Sequence, residues 1–252
     1  MPATLKVKRE QACKIGESIK SYADKTKSQI KKNEEGTTDM NYKEAIVENG
    51  IRMLHSGLTV ETWGNISMRD PETGLVYLTP SGMPYDKIVP DDVVVMNSKC
   101  EVVDGKRKPT IEYGMHVGIM NARPDVNAVI HTHPVDSQIF ALLHRDIPPV
   151  IDEAAQLLRG TVRCAKYALP GTDELAENVI EALGDGAACL MANHGAVAAG
   201  SDIDHAFRIC TVLEMTAKIY YKALCIGDPQ PIDDEKVAFM VDFVTNHYGQ
   251  RE

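Results

Sequence analysis

The chain has 252 residues, 44% of them hydrophobic and 25% charged, which is enough for one large domain or two small ones. Its net charge of -9 at pH 7 argues against nucleic acid and anionic membrane surfaces as partners of the folded body. An anionic substrate would therefore need a local electropositive site, such as a bound metal ion.

The six cysteines are scattered and form no CxxC pair, a usage typical of proteins in a reducing cytosol. The first residues lack the apolar h-region of a signal peptide, and no stretch approaches ~20 consecutive apolar residues. We therefore expect a cytoplasmic protein that does not span a membrane.

The N-terminal segment differs in composition from the rest of the chain. Residues 1–36 contain nine Lys and Arg, five Asp and Glu, and few apolar residues. Residues 10–32 fit either a solvated helix or a poorly ordered extension, and residues 34–38 are typical of a linker. We predict a basic extension over residues 1–38 and one domain over residues 39–252.

Helical and strand patterns interleave along that domain without internal repeats. Helices are predicted from a cap at Asn41 to a stop at Gly57, and over residues 111–122, 137–143, 174–183, 202–226 and 233–247. Strands are predicted over residues 65–69, 75–79, 93–96, 128–133 and 187–192, with a hairpin turn at Asp104-Gly105. The pattern indicates a single three-layer α/β/α domain with a mostly antiparallel central sheet.

Two histidines follow the apolar run at residues 128–130. Because side chains alternate along a strand, His131 and His133 are expected on one face, roughly 7 Å apart. Pro134 cannot donate to a ladder, which fits a strand that ends there. Such a pair either packs the strand end or binds one cation, with Zn–N distances of ~2.0–2.1 Å.

A second apolar strand ends at Asn193-His194-Gly195. If the two strand ends meet, His131, His133 and His194 form a three-histidine site with an open coordination position, the catalytic pattern for Zn²⁺. Taken alone, a histidine before a glycine, as His194 is, is more often a turn residue.

Glu112 begins the helix that precedes the first histidine strand. The helix macrodipole alone favours a carboxylate there, and the functional alternative is a fourth metal ligand or general base. His116 lies four residues on, where it either orients Glu112 or packs. The remaining histidines are interpreted as structural: His55, His144, His205 and His247.

Two glycine-bearing turns precede that helix, at Gly64-Asn65-Ile66-Ser67 and Thr79-Pro80-Ser81-Gly82. Backbone N–H groups and hydroxyls in such turns can cradle an anion, although each turn taken singly is only a reversal of the chain.

These two turns occur in order with Pro109-Thr110-Ile111-Glu112, His131-Thr132-His133 and Asn193-His194-Gly195. Together they resemble the class II sugar-phosphate aldolase/adducin-head family over roughly residues 41–252. The resemblance implies a central sheet flanked by helices, and a homotetramer with Zn²⁺ sites near subunit interfaces.

Matched motif by motif, the resemblance implies that His131, His133 and His194 bind zinc. It implies that Glu112 binds zinc at rest and then acts as acid/base, and that Tyr248 is a proton donor. The residues matched to phosphate binding are Gly64, Asn65, Ser81, Gly82, Thr110 and Ile111.

Four differences from known members of the family concern the substrate. Aldolases of the family have two serines where Thr110 and Ile111 stand here, so a hydroxyl is missing. A second aldolase tyrosine aligns with Asp152, and a catalytic aspartate of the epimerases aligns with Gln156. Trp63 before Gly64 is closer to the epimerases.

The function expected from the resemblance is a zinc-dependent aldolase that cleaves or forms a C–C bond of a ketose phosphate or sugar acid through a metal-stabilised enediolate. A 4-epimerase or a keto-acid phosphate decarboxylase would use related chemistry. A non-catalytic adducin-like assembly domain would be expected to lack the metal ligands, which this chain retains.

Overall fold

A computed structural model describes residues 41–248. The predicted extension over residues 1–38 lies outside the described residues, and so does its possible helix at 10–32. The domain boundary at residue 38 therefore stays a prediction.

Within residues 41–248, eight strands form one sheet in the order β4-β3-β2-β1-β5-β8-β7-β6. Neighbouring strands are antiparallel except β6 and β7, which run parallel. The strands are β1 Asn65–Arg69, β2 Val76–Leu78, β3 Val94–Met96, β4 Val102–Asp104, β5 Ala128–Thr132, β6 Cys164–Ala165, β7 Ala188–Met191 and β8 Gly195–Gly200.

Seven α-helices occur in the described part of the chain. They are α1 Tyr42–His55, α2 Tyr113–Ala122, α3 Val135–Leu142, α4 Asp152–Leu158, α5 Asp173–Leu183, α6 Ile203–Leu224 and α7 Asp234–Asn246. Short 3-10 turns at Tyr85–Lys87 and Pro90–Asp92 connect β2 to β3. Over residues 41–248, no helix is both long and apolar enough to cross a membrane.

The sheet separates two apolar cores, which confirms the three-layer prediction. Helices α2 and α5 cover one face, where Val129 and Val197 are fully buried. Helices α1, α3, α4 and α6 cover the other face, where Ile66 and Ile130 are buried. Alternation along each strand sends odd and even positions to opposite cores.

Local capping explains where three helices begin. The side chains of Thr172, Asp202 and Asp233 each accept a hydrogen bond from a backbone N–H of the first helical turn. This satisfies donors that the helix itself leaves free and typically stabilises it by ~1 kcal/mol. These helices start within one residue of the predicted positions.

The hairpin turn predicted at Asp104-Gly105 is wrong. Asp104 ends β4, and the chain instead reverses between Asn97 and Glu101, where the Asn97 side chain accepts from the backbone N–H groups of Lys99 and Glu101. An Asn side chain that bonds its own backbone two residues on is a turn former. The sequence prediction also missed α4, β4, β6 and β8.

Candidate active site

Three histidines meet at one end of the sheet. His131 is the penultimate residue of β5, His133 follows that strand directly, and His194 occupies the tight turn between β7 and β8. Because β8 pairs with both β5 and β7, the turn lies beside the end of β5. The close approach requires glycine, since a Cβ at Gly195 would collide with the carbonyl oxygen of Thr132.

The imidazoles are close enough to share one cation. The Nε2 atoms of His131 and His133 are 2.9 Å apart. The ring centroids are separated by 4.7 to 5.1 Å, and one ligand atom from each histidine lies within 4.8 Å of the others. The predicted grouping is thus present, although β5 ends at Thr132 and His133 lies just beyond it.

Hydrogen bonding defines the tautomer of His131. Its Nδ1 lies 3.0 Å from the carbonyl oxygen of Ala196. A carbonyl only accepts, so Nδ1–H donates and Nε2 carries the lone pair that faces the cluster. This arrangement is usual for a histidine that binds a metal through Nε2.

Burial keeps all three rings neutral at pH 7. The pKa is lowered to about 4 for His131, about 3 for His133 and about 4 for His194, and desolvation by burial is the largest cause in each case. The neighbouring rings lower the pKa of His133 and His194 further. Neutral imidazoles are the form that binds a metal ion.

Glu112 completes the cluster from the start of α2. It is 4% exposed, its Oε2 lies 3.4 Å from His131 Nε2, and its Oε1 lies 3.5 Å from His194 Nε2. Within the described residues, Glu112 Oε1 and His194 Nδ1 are buried without a hydrogen-bond partner. Buried polar atoms are normally satisfied, so this donor set fits a divalent cation.

Residues 44–221 match the family model of the Class II Aldolase and Adducin N-terminal domain. The chain belongs to this family.

Two curated relatives extend the match along nearly their whole length. The 5-deoxy-D-ribulose 1-phosphate aldolase of Bacillus thuringiensis serovar kurstaki is 40% identical over 195 residues, covering 77% of this chain and 91% of that protein. The L-fuculose phosphate aldolase of Escherichia coli (strain K12) is 34% identical over 208 residues, covering 82% of this chain and 94% of that protein.

A solved structure of L-fuculose 1-phosphate aldolase has a TM-score of 0.79 and 34% identity to this chain, and it covers 83% of this chain and 100% of the other. The predicted resemblance and fold class are confirmed, and so is the prediction that the chain is an enzyme of the class II aldolase type.

In this class II aldolase the histidines open into a cleft of about 560 Å³. The cleft is lined by every residue that was predicted to bind the substrate or its phosphate: Gly64, Asn65, Ser81, Gly82, Thr110 and Ile111. Among its described lining residues there is no Lys or Arg. An anion would therefore be held by hydroxyls, N–H groups and the N-terminus of α2.

The two anion turns have defined geometry. Gly64 has φ +80°, and a Cβ there would lie 2.6 Å from the carbonyl oxygen of His131. The Ser81 backbone N–H donates to the carbonyl oxygen of Lys108 at 3.0 Å, and the exposed Ser81 lines the cleft. Ile111, two residues before α2, is 58% exposed, so its side chain can contact a molecule bound in the cleft.

Three supporting contacts were not apparent from the sequence. The Tyr85 hydroxyl donates to the Gly64 carbonyl at 2.6 Å and supports that turn. Gln138 of α3 donates to the His194 carbonyl at 2.8 Å. His144, interpreted only as a structural residue, pairs through Nε2 with Asn193 Oδ1 at 2.6 Å. The partners lie 21 to 56 residues apart, beyond the reach of local sequence patterns.

His116 is bonded rather than simply packed. It is fully buried, its Nδ1 lies 2.6 Å from Ser67 Oγ, and its Nε2 contacts Asn65 Oδ1. Asn65 in turn donates from Nδ2 to Glu112 Oε2 at 2.8 Å. The Asn65 side chain therefore contacts the carboxylate as well as lining the cleft.

Tyr248 is the last described residue and is not in the cleft of its own chain. It is 69% exposed, and its ring lies 6.3 Å from that of Phe243 on α7. The described residues that line the cleft do not include it. Its role as a proton donor stays a prediction.

Proposed function

We propose that this class II aldolase uses Zn²⁺ to cleave, and in reverse to form, the C3–C4 bond of a ketose 1-phosphate. The observation that carries the proposal is the position of Glu112, within 3.5 Å of His131 and His194 at the base of the cleft. Two relatives, a 5-deoxy-D-ribulose 1-phosphate aldolase and an L-fuculose phosphate aldolase, support the substrate class.

His131, His133 and His194 would hold the cation, with Glu112 as a further ligand. Three neutral imidazoles with a carboxylate are a donor set that suits zinc. When bound, the cation would act as a Lewis acid on the carbonyl group of the substrate.

Glu112 would move the proton. In the cleavage direction the C3–C4 bond breaks, the C4 hydroxyl loses its proton and C3 gains one. The Glu112 carboxyl group lies inside the cleft, can deliver a proton to C3, and removes it again in the synthetic direction. Its buried position excludes bulk water from that step.

The phosphate would lie against the N-terminus of α2, between the Gly64 and Ser81 turns. Partial positive charge at a helix N-terminus and the Thr110 and Ser81 hydroxyls favour an anion there. Ile111 supplies a backbone N–H but no hydroxyl, so the site would bind phosphate with one fewer hydrogen bond than a serine would allow.

Tyr248 would exchange a proton with the aldehyde oxygen at the site of a neighbouring subunit in a homotetramer. The Tyr248 side chain is 69% exposed, which would leave it accessible to a neighbouring subunit. The cytoplasmic location is part of the same proposal.

The test is a turnover assay of the zinc-loaded protein on a panel of ketose 1-phosphates, with detection of dihydroxyacetone phosphate and the aldehyde. The panel should include 5-deoxyribulose 1-phosphate and fuculose 1-phosphate, with the free ketoses as matched controls. Release of both fragments supports the proposal. Inversion at C4 without release would indicate an epimerase, and release of CO₂ from a keto-acid phosphate would indicate a decarboxylase.

A further inference from the structure

His116 is a buried titratable residue to which the proposed reaction assigns no role. It lies on α2 one turn after Glu112, with 0% of its surface exposed. Burial, with a smaller effect of His131, lowers the pKa of His116 to about 3, so the ring is neutral. A buried neutral imidazole has one donor and one acceptor nitrogen, and both contact a polar partner here.

The orientation of the Asn65 amide determines the direction of these hydrogen bonds. Asn65 faces Glu112 Oε2 with its Nδ2 amide group, which can only donate. Asn65 Oδ1 then faces His116, which must donate from Nε2–H. His116 Nδ1 is left as an acceptor, and the Ser67 hydroxyl donates to it at 2.6 Å.

The geometry points to His116 as a positioning residue for the acid/base carboxylate, acting through Asn65. Because His116 accepts from Ser67 and donates to Asn65, the amide of Asn65 is held with Nδ2 toward Glu112. Oε2 of Glu112 is thereby engaged by Asn65, whereas Oε1, on the His194 side, has no hydrogen-bond partner among the described residues and is assigned to the substrate proton once it leaves the cation. The inference rests on the proposed function for its catalytic consequence, but its hydrogen-bond polarity stands independently.

The rest of the network favours a positioning role over simple packing. Asn65 and Ser67 are two residues apart on β1, so their side chains share the sheet face that α2 covers. A phenylalanine would fill the space of His116 but could neither donate to Asn65 nor accept from Ser67. Packing alone therefore does not account for an imidazole at this position.

Nitrogen-15 NMR of the imidazole in the intact, zinc-loaded protein tests the polarity without any substrate. We expect His116 to show a protonated Nε2 and an unprotonated Nδ1 across pH 6 to 8. A protonated Nδ1 would reverse the chain of donors and overturn the inference. Because the measurement does not involve the aldolase reaction, this failure is distinct from a failure of the proposed function.

Kinetics of His116→Phe and His116→Gln test the consequence. Residues that orient a metal-site ligand typically contribute 10–100-fold, so we expect His116→Phe to lower kcat about tenfold or more. The KM for the ketose 1-phosphate and the zinc content should stay near wild type. Glutamine keeps a donor and an acceptor, and should restore part of kcat.

Val117→Ala is the matched control, because Val117 is a fully buried neighbour on the same helix that faces an apolar core. It should lower thermal stability without lowering kcat. Equal losses of kcat in His116→Gln and His116→Phe would mean that His116 only packs. The same conclusion would follow if Val117→Ala lost as much kcat as His116→Phe at the same thermal stability. If His116→Phe fails to fold, the kcat of His116→Gln is compared with that of Val117→Ala. A kcat of His116→Gln no lower than that of Val117→Ala would overturn the positioning role.

Discussion

Asn65 and His131 are direct cross-strand partners in the antiparallel pair of β1 and β5. Side chains of such partners project from the same sheet face and lie in contact distance. His131 of the three-histidine cluster and the Asn65 amide that hydrogen-bonds Glu112 are therefore on one rung of the sheet. A shift of register between β1 and β5 would disrupt both together.

Replacing His133 with alanine should remove most of the bound metal and the activity, because it deletes one of three neutral ligands. We expect about one zinc ion per wild-type chain, measured by elemental analysis, from the three-histidine site. His55→Ala, at an exposed histidine outside the cluster, should bind metal like the wild type. Full metal retention in His133→Ala would contradict the assignment of His133 as a metal ligand.

Glu112→Gln should fold and keep much of the metal but lose proton transfer. General acid/base catalysis typically contributes ~10²–10⁴-fold, and kcat should fall by about that factor. Glu174→Gln is the control, since Glu174 is an exposed carboxylate in the first turn of α5. If both variants turn over at the wild-type rate, Glu112 matters only as a residue at the start of a helix.

Ile111→Ser should favour phosphorylated substrates selectively. One regained hydrogen bond to a charged group, contributing up to ~1.4 kcal/mol, would raise kcat/KM up to about tenfold. Steady-state kinetics on a matched ketose phosphate and free ketose measure the selectivity. Ser81→Ala should show the opposite selectivity.

A competing outcome has a clear signature. If Ile111 packs against an apolar part of an unphosphorylated substrate, Ile111→Ser will damage turnover of every good substrate. Asn65→Ala is expected to harm phosphorylated substrates more than neutral ones. Because Asn65 also contacts Glu112, it should lower kcat on both, so Ser81→Ala is the cleaner variant for the anion site.

The metal-free protein should lose stability as the pH falls from about 6.5 toward 4. Burial lowers the pKa of His116 to about 3 and of His131 to about 4, whereas an unfolded histidine titrates near 6.5. The unfolded state then binds more protons, so each such histidine reduces the free energy of unfolding by up to ~1.4 kcal/mol per pH unit.

Urea unfolding of the chelator-treated protein at pH 7.5 and pH 5.5 measures this effect. Carboxylates with unfolded pKa values near 4 contribute little in that range. In His116→Phe, the fall in the free energy of unfolding between the two pH values should be smaller by the contribution of one histidine. A stability that does not change between the two pH values would contradict burial of neutral histidines.

Mixed assembly tests whether Tyr248 acts on a neighbouring subunit. Glu112→Gln and Tyr248→Phe chains, each impaired alone, would form some sites with both wild-type residues when assembled together. We expect the purified mixed oligomer to turn over faster than either parent. Activity no higher than that of the parents would place Tyr248 in its own chain's reaction or outside it.

Local patterns in the sequence determined much of this protein. The apolar run before His131, the caps at Thr172 and Asp233, and the His-x-His spacing all act over a few residues, so they predict strands, helix starts and a possible ligand pair. The set of five motifs, taken together, also predicted the family and the grouping of the cleft residues.

Only the tertiary structure decided which polar atoms meet. Insertion of β8 between β5 and β7 brings His194 beside His131, and the packing of α2 on the sheet places Glu112 between them. His116 reaches Asn65 across 51 positions of sequence, a contact that no local periodicity encodes. The physical reason is that a buried donor or acceptor must find a partner wherever packing supplies one.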